Sequence, residues 1–260
     1  MNSKVNIIYF SATGTTKEFL HKMAHEMGFS IDKEFDLTNY EYKDFKHTFE
    51  KNDIILLGCP VFGARIPEPA KNRFTGLKGN NSKIVLILTY GDVHYDEALI
   101  EIYEIMKNNG FDIIGMGAFV SRHSVIKSVG IRRPNNHDNE TIKYFCKKIV
   151  GKLNENIKQN IEIIHSKLFG KYKKLPIKPK GNKKCKECGL CNKLCPVNSI
   201  DSRNPRKTNK EKCICCMRCV KYCPYNARNL PVIIYFMSKI FLNFMKKIKY
   251  NKENKSEIMV

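Results

Sequence analysis

An α/β fold, a doubly wound parallel sheet followed by a smaller α+β domain, is what the sequence predicts, and three observations predict it. Short apolar runs alternate with amphipathic stretches of helical length through residues 1–150, the pattern of strand–helix–strand units. Nine of the 11 cysteines lie between Cys185 and Cys223, while Cys59 and Cys146 stand alone earlier. Charge divides the chain at the same place. Residues 1–150 hold 20 Lys/Arg and 18 Asp/Glu, and residues 151–260 hold 26 and 7, so nearly all of the net +21 sits in the second part.

The elements follow in order. Residues 4–10 form a near-continuous apolar run, as a strand buried on both faces requires. The loop Ser11-Ala12-Thr13-Gly14-Thr15-Thr16 comes next, then a helix over 16–27 with Phe19, Leu20 and Met23 on one face. Further buried strands are expected at 53–58, 83–89 and 112–119, and helices at 68–74, 96–109 and 138–153. In such sheets ligands bind outside the carboxyl ends of the strands. Three loops leave those ends with suggestive chemistry. Ser11, Thr13, Gly14, Thr15 and Thr16 offer hydroxyls and backbone N–H groups at a helix N-terminus, which suits a phosphate. The loop has no lysine and no Walker spacing, which argues against a nucleoside triphosphate. Pro60-Val61-Phe62-Gly63 and Tyr90-Gly91-Asp92 each put an aromatic residue on a turn. With the first loop they suit a flat ring with a phosphate tail; the competing reading makes Phe62 and Tyr90 ordinary loop-packing aromatics.

The cysteines carry the strongest signal. Cys185-x2-Cys188-x2-Cys191-x3-Cys195-Pro196 is followed by Cys213-x2-Cys216-x2-Cys219-x3-Cys223-Pro224. Both have the C-x2-C-x2-C-x3-C-P spacing of two-cluster bacterial ferredoxins, in which the fourth cysteine of each run ligates the other cluster. One [4Fe–4S] cluster is assigned to Cys185, Cys188, Cys191 and Cys223, the other to Cys213, Cys216, Cys219 and Cys195. Zinc is the competing reading, but a structural zinc takes four ligands, and four cysteines per run, twice, oversupply a single tetrahedral ion. Cys215 fits neither pattern and reads as a small buried side chain. So dense a grouping in a chain without a secretory leader points to metal rather than disulfides.

At these loops the sequence resembles a family. Ser11–Thr16 looks like the FMN phosphate loop of flavodoxins. Pro60-Val61-Phe62-Gly63-Ala64-Arg65-Ile66-Pro67, and Tyr90-Gly91-Asp92 with Asp96, Ala98 and Leu99 after it, are similar to those of ferrodoxins, which fuse a flavodoxin-like domain to a two-cluster ferredoxin-like domain. The stretch from Gly117 to Ser124 and the pair Arg133-Pro134 look familial too, and the resemblance covers roughly residues 3–228. It implies that Ser11, Thr13, Gly14, Thr15 and Thr16 hold an FMN phosphate. It also implies that Phe62 and Tyr90 flank the isoalloxazine, with Gly63 and Gly91 allowing close approach. Phe62 stands where a tyrosine is expected, which keeps stacking and drops a hydroxyl. Ser121–Arg122–His123 lacks the expected acidic residue, and His123 reads equally as a flavin neighbour or a polar loop residue.

The expected organisation is 1–153 for the flavodoxin-like domain, 154–180 for a basic helical linker, 181–230 for the cluster domain and 231–260 for an amphipathic helix with a polar tail. Residues 232–249 place Ile233, Phe236, Met237, Ile240, Phe241, Phe244 and Ile248 at helical spacing, so the helix either covers a seam on the protein or lies on an anionic membrane surface. The first ten residues lack a secretory signal, and no apolar run approaches the roughly 20 residues that span a bilayer, so a cytoplasmic protein is expected. The basic second part calls for an anionic partner: an acidic redox protein or the inner face of a membrane, with nucleic acid disfavoured because no recognition motif is present. The leading function is electron transfer between a bound FMN and two clusters, with no catalytic side chain. The alternative is an FMN-dependent reductase acting on an organic substrate, with His123 the available acid.

Overall fold

The computed structural model describes residues 3–95, 97–155, 161, 177–249 and 254–260. Strand β1 (Lys4–Tyr9) leads into helix α1 (Thr15–Glu26) and strand β2 (Ser30–Asp36). A 3-10 turn at Tyr40–Asp44 precedes the short strand β3 (His47–Thr48). Then come β4 (Ile54–Pro60), α2 (Glu68–Phe74), the short β5 (Leu77–Lys78), β6 (Lys83–Tyr90), α3 (Ala98–Asn108), β7 (Asp112–Val120) and α4 (Asn136–Glu155). The cysteine-rich segment contributes β8 (Lys180–Gly181), α5 (Leu190–Lys193), α6 (Arg218–Lys221) and β9 (Arg228–Asn229). Helix α7 (Val232–Lys249) and β10 (Glu257–Met259) close the chain. Most of the linker expected at 154–180 lies outside the described residues.

The main sheet runs β10-β7-β6-β4-β1-β2. Its five long strands pair in parallel, and β10 joins the far edge antiparallel, with Ile258 opposite Gly117. Counted among the five, the order is 2-1-3-4-5, the flavodoxin-like doubly wound order, whose switch point lies between the first and third strands. Here those are β1 and β4.

The continuous apolar runs have a clear cause. Along β1, Val5, Ile7 and Tyr9 face a core shared with α1 and α4, while Ile8 and Phe10 face a second core built on α2 and α3. Strand β6 alternates likewise, Val85 and Ile87 against Ile84, Leu86 and Leu88. Both faces are covered, so nearly every interior position is apolar, with Asn6 and Thr89 as buried exceptions. Strand β2 escapes that rule: it is an edge strand, largely exposed, with charges between Ile31 and Phe35, and its sequence does not read as a strand.

The cysteine-rich segment docks onto the sheet domain. Ile214 and Cys216 join the core built on α2 and α3. Cys215, Met217 and Leu230 pack with Val125, Ile126 and Val129 from the loop after β7. Arg73 of α2, 2 % exposed, donates to the carbonyls of Leu37 (2.7 Å), Thr38 (3.0 Å) and Pro196 (2.7 Å). Burial lowers its pKa to about 10, which leaves it charged at neutral pH. Removing this donor strands three buried acceptors. Arg73→Met is expected to cost about 2–4 kcal/mol, read as a lower urea midpoint and faster proteolysis between residues 177 and 230. An unchanged midpoint would show that the arginine is not what holds the segment down.

Candidate functional site

The loop after β1 sits at the switch point and is braced from three sides. The Ser11 N–H donates to Thr38 Oγ1 (2.8 Å), and the Lys17 N–H to Ser11 Oγ (3.1 Å). Thr16 Oγ1 lies 2.7 Å from Thr89 Oγ1. Ser11 and Thr16 are thus engaged within the protein, while Thr13, Gly14 and Thr15 are half-exposed. Gly14 is the N-cap of α1 in the left-handed region (φ 89°), and no side chain caps the helix there. The Lys17 N–H is taken by Ser11, and the N–H groups of Thr15 and Thr16 are left for an outside acceptor at the positive end of the helix.

The other two loops flank this one. The Val61 N–H donates to Thr89 O (2.9 Å), and Phe62 and Arg65 exchange backbone hydrogen bonds around Gly63 (φ 58°). Beneath them Glu101, 3 % exposed, accepts from Arg65 (2.7 and 2.9 Å), Lys71 (3.1 Å) and the Ile66 N–H (3.2 Å). Burial alone would raise its pKa; these donors outweigh it and hold the carboxyl below its usual range. Pro60, Val61 and Phe62 stay half-buried.

Tyr90 is placed differently from what the resemblance implies. It is 3 % exposed, its hydroxyl donates to Lys255 O (2.7 Å), and its ring packs against Tyr95 with centroids 5.4 Å apart. Asn254 Nδ2 donates to Asp92 O (2.9 Å), and Asp92 is itself buried at φ 52°. The C-terminal segment therefore lies over the 90–92 loop. Gly91 is required: a Cβ there would stand 2.8 Å from His123 Cα. His123 Nδ1 accepts the N–H groups of Val125 (3.1 Å) and Ile126 (3.0 Å), and burial lowers its pKa to about 4. It is a neutral acceptor that shapes its loop.

The eight motif cysteines line two cavities. One is lined by Cys185, Cys188, Cys191 and Cys223, with Tyr225 and Arg228. The other is lined by Cys195, Cys213, Cys216 and Cys219, with Cys215 also in its wall. The first is outer: Cys188 is exposed and its companions half-exposed. The second is inner, and burial pushes the Cys219 thiol up to about 11 and raises that of Cys216 well above its ordinary value. Backbone N–H groups already aim at three sulfurs: Ser199 at Cys195 (3.2 Å), Ala227 at Cys223 (3.3 Å) and Cys215 at Cys213 (3.4 Å). Among the described residues no group of three or more His, Cys, Asp or Glu is arranged to hold a single metal ion.

Two arginines join these parts, and motif reading missed both. Arg228, 1 % exposed, donates to Pro179 O (3.0 Å), Thr208 Oγ1 (2.5 Å) and Pro205 O; it lies against the thiols of Cys191 and Cys219, one from each cavity. Arg218 reaches from the inner set to the loop after β1, donating to Ser11 O (3.2 Å), Ala12 O (3.4 Å) and Asn39 Oδ1 (3.1 Å). Beside it, the Tyr222 hydroxyl lies 3.6 Å from where a Cβ on Gly14 would stand.

No family model matches the chain, and neither does any curated protein. Several solved structures resemble its first part. A two-electron reduced flavodoxin of Megasphaera elsdenii is 22% identical over 56% of this chain and 98% of its own, with a TM-score of 0.40. A flavodoxin mutant of Fusobacterium nucleatum bound to flavin mononucleotide is 12% identical over 58% of this chain and 98% of its own, TM-score 0.40. An NADH:FMN oxidoreductase in its apo form is 10% identical over 58% and 89%, TM-score 0.42.

The His123 environment sets a pH dependence. Its folded pKa of about 4 lies below the ordinary value of 6.5, so between those limits the unfolded chain takes up a proton that the folded chain refuses. Stability from this group is complete above about pH 6.5 and is lost as pH falls toward 4. His123→Asn, which keeps an acceptor at the δ position, is expected to flatten the fall of the thermal midpoint between pH 7 and pH 5. An equally steep fall in the variant would exclude His123 as its source.

Proposed function

We propose that the chain is an electron-transfer protein that binds FMN at the loop after β1 and two [4Fe–4S] clusters at the two cysteine cavities. One observation carries this reading: eight cysteines divide four and four over two cavities, each drawing its fourth cysteine from the other run. When bound, FMN exchanges electrons singly or in pairs while each cluster exchanges them one at a time, so the combination links pair donors to single-electron acceptors.

The residues present fit these groups. Each cavity is walled by four sulfurs, and thiolate ligation replaces the proton that burial otherwise keeps on Cys216 and Cys219. Arg228 stands against both sets with its Nε lacking a partner among the described residues, a buried positive charge suited to anionic guests. The uncapped N-terminus of α1 suits a phosphate. Phe62 is the half-buried aromatic available to a flat ring, whereas Tyr90 is covered by the C-terminal segment. The outer cavity marks the docking face. Lys183, Lys184, Lys186, Lys193 and Lys221 are exposed around it, and Glu187 is paired with Arg206 (3.3 Å), which favours a partner with an acidic surface. A substrate reductase would need a proton donor by the ring. His123, neutral and with Nδ1 already accepting two bonds, is poorly suited to that task.

Protein purified without oxygen is expected to hold roughly eight iron, eight sulfide and one flavin per chain, and to give reduced-cluster EPR signals on dithionite titration. Cys216→Ala should lose about half of the iron or more, while Cys215→Ala keeps the full complement. A colourless protein holding zinc, or equal iron loss in both variants, would overturn the reading.

A further inference from the structure

The function above leaves the most exposed apolar stripe among the described residues unused. Helix α7 is 18 residues long, and among the described residues Tyr235 and Leu242 fix it to the body, packing against the cluster formed by Cys215, Met217, Leu230, Val125, Ile126 and Val129. The opposite side carries Ile233, Phe236, Met237, Ile240 and Phe244 at intervals of three and four residues. They are 75%, 56%, 66%, 69% and 59% exposed. A single exposed isoleucine needs no explanation, but five large apolar side chains along one helical stripe do.

The charge around the stripe says what covers it. From Pro224 to Lys252 the sequence has no Asp or Glu, and it holds Lys239, Lys246, Lys247 and Lys249 within α7 and Lys252 just after it. No helix among the described residues is long and apolar enough to cross a membrane. An apolar face on a lysine-rich helix that does not span is the composition of a helix lying in the headgroup layer of an anionic bilayer. A second copy of this chain is the poorer occupant, because joining two such faces brings together lysines from two chains of net charge +21.

We infer that α7 seats the protein on an anionic lipid surface through Ile233, Phe236, Met237, Ile240 and Phe244. Because Tyr235 and Leu242 already hold the helix to the protein, the outward face enters the headgroup layer without any element unfolding. The inference is independent of the flavin and cluster assignments.

The full chain, purified without oxygen, is sedimented with phosphatidylcholine vesicles that contain or lack roughly one-third phosphatidylglycerol. It is expected to pellet with the anionic vesicles, to be released as salt is raised, and to stay in solution with phosphatidylcholine alone. The double variant Ile233→Asp/Phe236→Asp changes two exposed positions. It is expected to lose binding by about tenfold or more, with absorption spectrum and thermal midpoint unchanged. Failure of the parent protein to pellet with anionic vesicles overturns the inference, as does undiminished binding by the variant. A dimer seen by light scattering that dissociates in the variant, without vesicle binding by the parent, assigns the face to a second copy and overturns it too.

Discussion

Buried guanidiniums donating to backbone carbonyls are the constraint on which the arrangement of this molecule rests. The cysteine-rich segment has almost no regular structure of its own: two two-residue strands and two four-residue helices. So short a piece of chain buries too little apolar surface to fold alone, and ordinarily needs metals or a neighbour. Here it has a neighbour. Arg73 reaches out from the sheet domain to Pro196, and Arg218 reaches back to Ser11 and Ala12. Lysine could not substitute, since a compact ammonium cannot spread donors over three acceptors in fixed directions.

The segment is a repeat, and its departures from repetition show which side is docked. Positions 28 residues apart share backbone geometry: Glu187 and Cys215 (φ 55° and 54°), Asn198 and Asn226 (both 48°), Gly189 and Met217 (73° and 62°). The residues between the first three cysteines differ, however. Lys186, Glu187, Gly189 and Leu190 in the first run correspond to Ile214, Cys215, Met217 and Arg218 in the second. All four in the second run are buried. An exposed run and a docked run were therefore made from one backbone by changing the residues beside the ligand positions, which explains both the placement of Cys215 and the inner and outer character of the cavities.

Those differences were open to sequence reading, and others were not. Strands β1, β4, β6 and β7 were legible because burial on both faces demands continuous apolar runs. Strand β2 was hidden by its charges and β10 by its three-residue length. Cysteine spacing alone grouped the side chains that line each cavity. Motif reading singled out the hydroxyls of the loop after β1 but did not show that Ser11 and Thr16 are spent on Lys17 and Thr89. Arg218 meets Ser11 across 207 residues and Tyr90 meets Lys255 across 165, distances over which a single sequence carries no pairing signal. His123 was open to two readings, and sequence did not show that its Nδ1 accepts the N–H groups of Val125 and Ile126.

Arg218 also has a thermodynamic consequence. It begins α6, between the inner cysteines Cys216 and Cys219, and its donors hold the carbonyls of the loop after β1. Ordering residues 213–219 therefore orders that loop. Arg218 thus joins the inner cysteine run to the loop after β1: a group that bound the inner cysteines through an ordered 213–219 would also stabilise that loop, and by reciprocity an anion held at the loop would favour the inner cysteine set.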